Sequence, residues 1–314
     1  MFSSRSVPVL IATMLLAACA KDPQPEAASP AESAAPAPIR SESVHEFKIG
    51  ELTAYALKDG DFVFPNDGKV VAINRSPDDV AKLLEQAGVS TTELRLSIQP
   101  LLVKAGDRVL LFDTGVGTFA GEAGGKLVAS MNEAGVDPAS VTDIFISHGH
   151  GDHVGGMFDK DGALVFPNAT VHITAPEWNA IKNSPENDDT RKAMIATLEP
   201  KVDAFTPGAE LVPGVVKAVE IKGHTPGHSG YLITSSSDSL LYIGDSAHHY
   251  IVSVQEPDWT IQFDADAPTA QASRKELIAS NAQAGQRIYA VHFPFPGLGT
   301  FVQDGEKFVW KAEE

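Results

Sequence analysis

The chain has 314 residues, 43% of them hydrophobic, a formal net charge of −17 and a sequence pI near 4.9. That length and apolar share support one large α/β domain, or two small ones, around a sizeable core. So acidic a surface repels phosphate backbones and anionic lipid, which argues against nucleic acid as a partner, and the charge alone selects no substrate.

The N-terminus stands apart from the fold. Arg5 precedes a short apolar run, residues 7–18, which is too short to span a bilayer and has the proportions of a cleavable export signal. It ends in Leu16-Ala17-Ala18-Cys19, and Cys19 is the sole cysteine, so no internal disulfide and no thiolate metal ligand is available. The tetrapeptide resembles the lipobox of bacterial lipoproteins. That resemblance implies cleavage before Cys19, lipidation of its thiol and contact with the membrane through this anchor alone. Ala20, rather than Asp, after the cysteine points to the periplasmic face of the outer membrane; an ordinary secretory signal, releasing the protein to the periplasm, is the alternative. Residues 21–43 are rich in Pro, Ala, Ser and Glu, the composition of a disordered tether. The expected organisation is therefore a signal over 1–18, lipidated Cys19 with its tether over 19–43, and a folded domain over 44–314.

Within that domain, Phe47, Ile49, Leu52, Ala54, Tyr55 and Leu57 predict short strands about Gly50. Residues 78–87 predict a helix between Pro77 and Gly88. The apolar runs 96–103 and 109–112, around the Ala105-Gly106-Asp107 turn, predict a hairpin. Residues 126–134 predict a helix stopped by Gly135, and 141–147 a buried strand that runs into a histidine cluster. Helices are predicted over 175–183, 189–198 and 273–284, and further strands over 215–221, 230–235, 240–243, 288–291 and 308–310. Two strand-rich halves, each followed by helices, predict an α/β fold: an αββα sandwich of two mixed β-sheets flanked by helices.

The chemistry concentrates in Ser147-His148-Gly149-His150-Gly151-Asp152-His153. Three imidazoles and a carboxylate within six residues, leaving a strand end, form the donor set that zinc and other borderline metals favour. The interleaved glycines let the backbone fold closely about an ion. A His-rich surface loop would not reproduce a whole ligand pattern of this kind.

His-x-His-x-Asp-His resembles the signature of the metallo-β-lactamase superfamily, and four further motifs of that family follow the family's order. They are Phe112-Asp113-Thr114-Gly115, Gly223-His224-Thr225-Pro226-Gly227-His228, Ile243-Gly244-Asp245 and Val291-His292. The resemblance runs from Val44 to the C-terminus and implies the metallo-β-lactamase fold with two divalent metal ions, zinc foremost among Zn, Mn, Fe and Co. It implies His148, His150 and His228 on the first ion, Asp152, His153 and His292 on the second, and Asp245 between them. Asp113 and His224 would orient ligands from behind. A solvent hydroxide between the ions would be the nucleophile, with Asp152 accepting its hydrogen bond. His248 is a candidate donor to the leaving group.

Asp245 argues against β-lactam hydrolysis, because the family's β-lactamases carry Cys or no bridging carboxylate at that position. Phe166-Pro167-Asn168-Ala169 and His292-Phe293-Pro294-Phe295-Pro296-Gly297 resemble the branch that contains methyl parathion hydrolase, near the N-acyl homoserine lactonases. That branch also implies a homodimer. His248 stands where lactonases carry Tyr. The sequence thus reads as a dinuclear hydrolase of a small ester or lactone. The alternatives are an organophosphate triester hydrolase, a β-lactamase and a non-catalytic metal-binding lipoprotein. His45 and His172 read as strand or surface residues, and the loop of His248 and His249 as a pocket rim. Phe64, Phe119, Trp178 and Phe295 serve either a substrate wall or the core.

Overall fold

The computed structural model describes residues 37–313, with Met1 and Pro8; the expected export signal and tether, Cys19 included, otherwise lie almost wholly outside the described residues. A first hairpin, β1 (Val44–Ile49) and β2 (Leu52–Leu57), turns at Gly50, where φ is 54°. Next, β3 (Gly60–Pro65) pairs across helix α1 (Pro77–Gln86) with β4 (Glu93–Ile98), as a separate two-stranded ribbon. The chain then rejoins the first hairpin with β5 (Leu101–Ala105) and β6 (Arg108–Phe112). Three parallel additions follow: β7 (Asp143–Phe145), β8 (Thr170–Thr174) and β9 (Val202–Phe205). Helix α2 (Leu127–Glu133) precedes β7, the single turn α3 (Gly151–Val154) follows it, and α4 (Ala175–Lys182) and α5 (Asp189–Leu198) join β8 to β9.

The second sheet takes its strands in chain order: β10 (Glu210–Val212), β11 (Val216–Glu220), β12 (Ser229–Ser235), β13 (Asp238–Tyr242), β14 (Arg287–Tyr289), β15 (Leu298–Asp304) and β16 (Lys307–Ala312). All its pairings are antiparallel except β13 with β14, whose connection contains α6 (Val252–Gln255) and α7 (Ala267–Ala284). Both sheets are mixed and helices flank them, as the sequence predicts.

The two-residue side-chain period explains the layering. On β5 and β6, Leu101, Val103, Leu110 and Phe112 face the other sheet, while Leu102 and Leu111 face the helices α2 and α4. On β13, Leu240 and Tyr242 point inward and Leu241 packs toward α7. Phe112 stacks on Phe145 at 4.9 Å in this inter-sheet core.

Two local expectations are corrected. The apolar run 96–103 is not one strand. It breaks at Gln99-Pro100, where proline has no N–H to donate and the Gln99 amide instead donates to the Ala290 and Phe293 carbonyls, at 3.0 and 2.9 Å. The helix expected from residue 273 begins at Ala267, because Asp266 caps it by accepting from the Thr269 N–H at 3.2 Å.

This topology gathers the motifs. Asp113 follows β6, the histidine cluster follows β7, Asp245 follows β13 and His292 follows β14. These are the C-terminal ends of two parallel strand pairs, where loops converge on one edge of an α/β structure.

Candidate metal centre

The loop after β7 is anchored before it reaches its histidines. Asp113 Oδ1 accepts the Ser147 N–H, and its Oδ2 accepts the Ser147 hydroxyl, the Tyr242 hydroxyl and His153 Nδ1–H, each at 2.7 Å. Asp113 is fully buried and sits at φ 57°, in the left-handed region that Asp tolerates better than most residues. That backbone turn sends its carboxylate beneath the loop.

Above it, two groups of donors form. His148 Nε2, His150 Nδ1 and His224 Nε2 lie 2.9, 3.1 and 3.2 Å from one another, and His224 Nε2 is 3.3 Å from Asp245 Oδ2. In the second group, His153 Nε2 and His292 Nε2 stand 3.6 and 3.5 Å from Asp152 Oδ2, and 3.1 and 3.0 Å from Asp245 Oδ1. Asp245 therefore offers one oxygen to each group.

These distances suit a metal better than hydrogen bonds. Three imidazole nitrogens that face one another have no proton arrangement that satisfies all three. Zinc–nitrogen bonds of about 2.0–2.1 Å in a tetrahedron put ligand atoms roughly 3.3 Å apart, which the observed spacings bracket. Among the described residues, His153 Nε2, Asp245 Oδ1 and His248 Nε2 are buried without a hydrogen-bond partner, although His153 Nε2 lies 3.1 Å from Asp245 Oδ1. Such atoms are close but misaligned because they aim at a shared point, as ligands do.

The charges agree. Burial drives His148 well below the ordinary imidazole range and takes His150 down to about 4, with neighbouring histidines adding to both effects. Burial also opposes charge on His153, yet Asp245, Asp152 and Asp113 hold it well above that range. Asp245 is fully buried, but the surrounding histidines keep its carboxyl well below the usual carboxylate range. A carboxylate ringed by imidazoles suits a cation.

Most of these rings are held from behind. His153 Nδ1 donates to Asp113, His292 Nδ1 to the Ser97 carbonyl at 2.7 Å, and His224 Nδ1 to Asp264 Oδ1 at 2.9 Å. Each contact fixes the tautomer that leaves Nε2 free.

Comparison with known proteins identifies the scaffold: the profile of the metallo-beta-lactamase superfamily matches residues 96–283. The chain belongs to that superfamily. Among solved structures, AidC, a dizinc quorum-quenching lactonase in complex with a product, is 30% identical. It aligns over 87% of this chain and 98% of its own, with a TM-score of 0.81. AbOPH, a hydrolase in the beta lactamase superfamily, is 26% identical over 88% of this chain and 99% of its own, with a TM-score of 0.77. A probable metallo-hydrolase of Mycobacterium bovis is 25% identical over 181 residues, 48% of this chain and 56% of that protein. The chain thus spans about half the length of the curated relatives it matches.

On this metallo-β-lactamase scaffold the structure corrects one pair of expectations. His228, expected as a ligand, points away from the cluster: its Nδ1 donates to the Ile221 carbonyl at 3.1 Å and its Nε2 accepts the Asp245 N–H at 2.9 Å. Both ring nitrogens are thereby used. His224, expected behind the ligands, stands among them. Gly244, at φ 48°, permits this packing, since a Cβ there would meet His228 Nε2 at 2.6 Å.

His148, His150, Asp152, His153, Asp245 and His292 come together as expected. His248 is buried with Nε2 3.2 Å from Asp245 Oδ2. His249 is no rim residue; it is buried, and its Nδ1 accepts the Ile251 and Val252 N–H groups at the start of α6. His172 is not part of the cluster; it lies between Asp143 and Asp203 at 2.9 Å each. Phe64 stands 6.4 Å from Phe263, itself 6.4 Å from His150, whereas Trp178 and Phe295 pack with the core. The side chain of Phe119 lies outside the described residues.

Three residues that the sequence reading missed support the centre. Glu177 links the two histidine loops, and Asp264 with Arg274 backs His224. A signal for Arg274 existed: it interrupts the buried stripe Ala270, Leu277 and Ile278 of α7.

Proposed function

We propose that this protein is a two-metal hydrolase that opens small lactones or cleaves small esters. The observation that carries the reading is Asp245, whose two carboxylate oxygens face separate donor groups, His148, His150 and His224 on one side and Asp152, His153 and His292 on the other. Two dications held there would supply a hydroxide nucleophile at neutral pH and Lewis acidity toward a scissile carbonyl.

The chain's own residues would do the remainder. Asp152, with 18% of its side chain exposed, is the carboxylate of the centre most open to an incoming water and would accept its proton. His248, whose Nε2 has no hydrogen-bond partner among the described residues, would donate to the leaving oxygen. The apolar Phe64 and Phe263 flank beside His150 suits an acyl chain. Similarity to AidC over nearly the whole domain supports a lactone or ester over other substrates.

The test is turnover by the metal-loaded protein of N-hexanoyl homoserine lactone, an aryl ester, a phosphotriester and a cephalosporin, with Asp245→Ala as control. Lactone or ester turnover that Asp245→Ala abolishes is the expected result. Preference for the phosphotriester or cephalosporin would replace the substrate class, and a two-metal protein inert on all four would overturn the reading. We also propose export and lipid anchoring through Cys19 at the periplasmic face of the outer membrane. Metabolic labelling with a fatty-acid analogue should be lost in Cys19→Ala, and an unlabelled native protein would remove this proposal.

A further inference from the structure

One buried ion pair has no part in the reaction outlined above. Arg274, on α7, is 1% exposed, and the Asp264 side chain is fully buried. Such a pair is costly to desolvate and is weak evidence for stability by itself, so its contacts decide what it does. The Arg274 Nε–H donates to the Ser246 carbonyl at 2.7 Å, and Nη2 donates to Asp264 Oδ2 at 2.9 Å. Nη1 donates to the Pro257 carbonyl at 3.0 Å. The other Asp264 oxygen accepts His224 Nδ1–H at 2.9 Å. A single guanidinium thus grips the residue next to Asp245 and, through one carboxylate, the imidazole of His224.

We propose that Asp264 and Arg274 are positioning residues for the first donor group, with Asp264 setting the tautomer and aim of His224 and Arg274 fixing both Asp264 and the Asp245 turn. The inference rests on the two-metal reading. The geometry makes the effect selective. His224 is the imidazole that the second half of the chain contributes to the first group, while the rings of the second group are backed independently by Asp113 and the Ser97 carbonyl. An anionic acceptor behind His224 also raises the basicity of its Nε2, which strengthens it as a ligand. Asn at 264 keeps the shape but loses the charge and turns an amide N–H toward either the guanidinium or the imidazole N–H.

The experiment uses the full chain loaded with cobalt(II), with chelator competition and visible absorption spectra, for the native protein and Asp264→Asn. The expected result is a loss of about ten- to hundred-fold in affinity for one ion, with the other unchanged and one set of cobalt bands shifted. In a His224→Ala background, Asp264→Asn should cause no further loss. If Asp264→Asn does not fold, Arg274→Lys should weaken the ion held by His224 more than its neighbour. Native affinity and spectrum for both ions in the folded variant would overturn the inference. So would an equal loss at both ions that merely tracks a fall in the metal-free melting temperature. A native protein that binds fewer than two ions would instead refute the two-metal reading.

Discussion

Replacing Glu177 with Gln tests what keeps the two histidine loops in register. Glu177 lies in the first turn of α4 and is 3% exposed. Its Oε1 accepts the Gly149 N–H at 2.8 Å; its Oε2 accepts the Thr225 hydroxyl and the Gly227 N–H, each at 2.8 Å. Gly149 separates His148 from His150, and Thr225 follows His224, so one carboxylate spans the loops that carry the first donor group. Glutamine has a single acceptor oxygen. The cheaper arrangement keeps Thr225 and Gly227 and turns the amide NH2 toward the Gly149 N–H, donor against donor. The loss is one charge-assisted hydrogen bond, worth about 1.5–3 kcal/mol, plus part of the desolvation of the stranded donor. We expect Glu177→Gln to destabilise the metal-free protein by about 2–3 kcal/mol, a fall of roughly 4–10 °C in its melting midpoint. Thermal unfolding by circular dichroism in excess chelator measures this without interference from metal. A midpoint equal to that of the native protein would refute the clamp.

Other consequences follow from the same geometry. His224→Ala should cost one bound ion by elemental analysis, while His228→Asn should retain both and lose stability only; the opposite pattern would restore His228 as a ligand. Asp143 is held down to about 2: burial would raise it, but hydrogen bonds from His172, Thr142 and Arg108 outweigh burial. A carboxyl depressed in the folded state adds stability that is present above its unfolded value of about 3.9 and is lost as pH falls through the folded value. Arg108 is 39% exposed, so screening limits the contribution to about 1–2 kcal/mol. Asp143→Asn should therefore destabilise the metal-free protein at pH 7 but not near pH 2, as urea titrations would reveal, and an equal loss at both would contradict this. Phe112→Ala, in the inter-sheet core, should cost about 3–5 kcal/mol by the same titration; a loss under about 1 kcal/mol would mean the core closes over the gap.

Much of this protein is legible in its sequence because its decisive features are local. Ser147 to His153 carries four donors on one loop, and a short apolar strand ahead of it says where that loop leaves the sheet. What the sequence concealed depends on long-range placement. His224 and His228 are four residues apart in one motif. Which of them faces the cluster is settled only by the start of β12, where the Asp245 N–H and the Ile221 carbonyl take both nitrogens of His228. Pro100 warned that the run 96–103 would divide, but not that β4 would pair with β3 and present the Ser97 carbonyl to His292. A strand of three residues, such as β10, is too short to show a period at all. Asp264 lies 40 residues beyond His224, and its role becomes visible only when Arg274 is found on the buried face of α7.

The most direct test of the central claim counts metal and activity in one preparation. Elemental analysis of the metal-replete domain should give two ions per chain, alongside hydrolysis of N-hexanoyl homoserine lactone or an aryl ester, and Asp245→Ala should lose both the second ion and the turnover. One ion or none in the native protein, or full turnover without Asp245, would contradict the two-metal hydrolase.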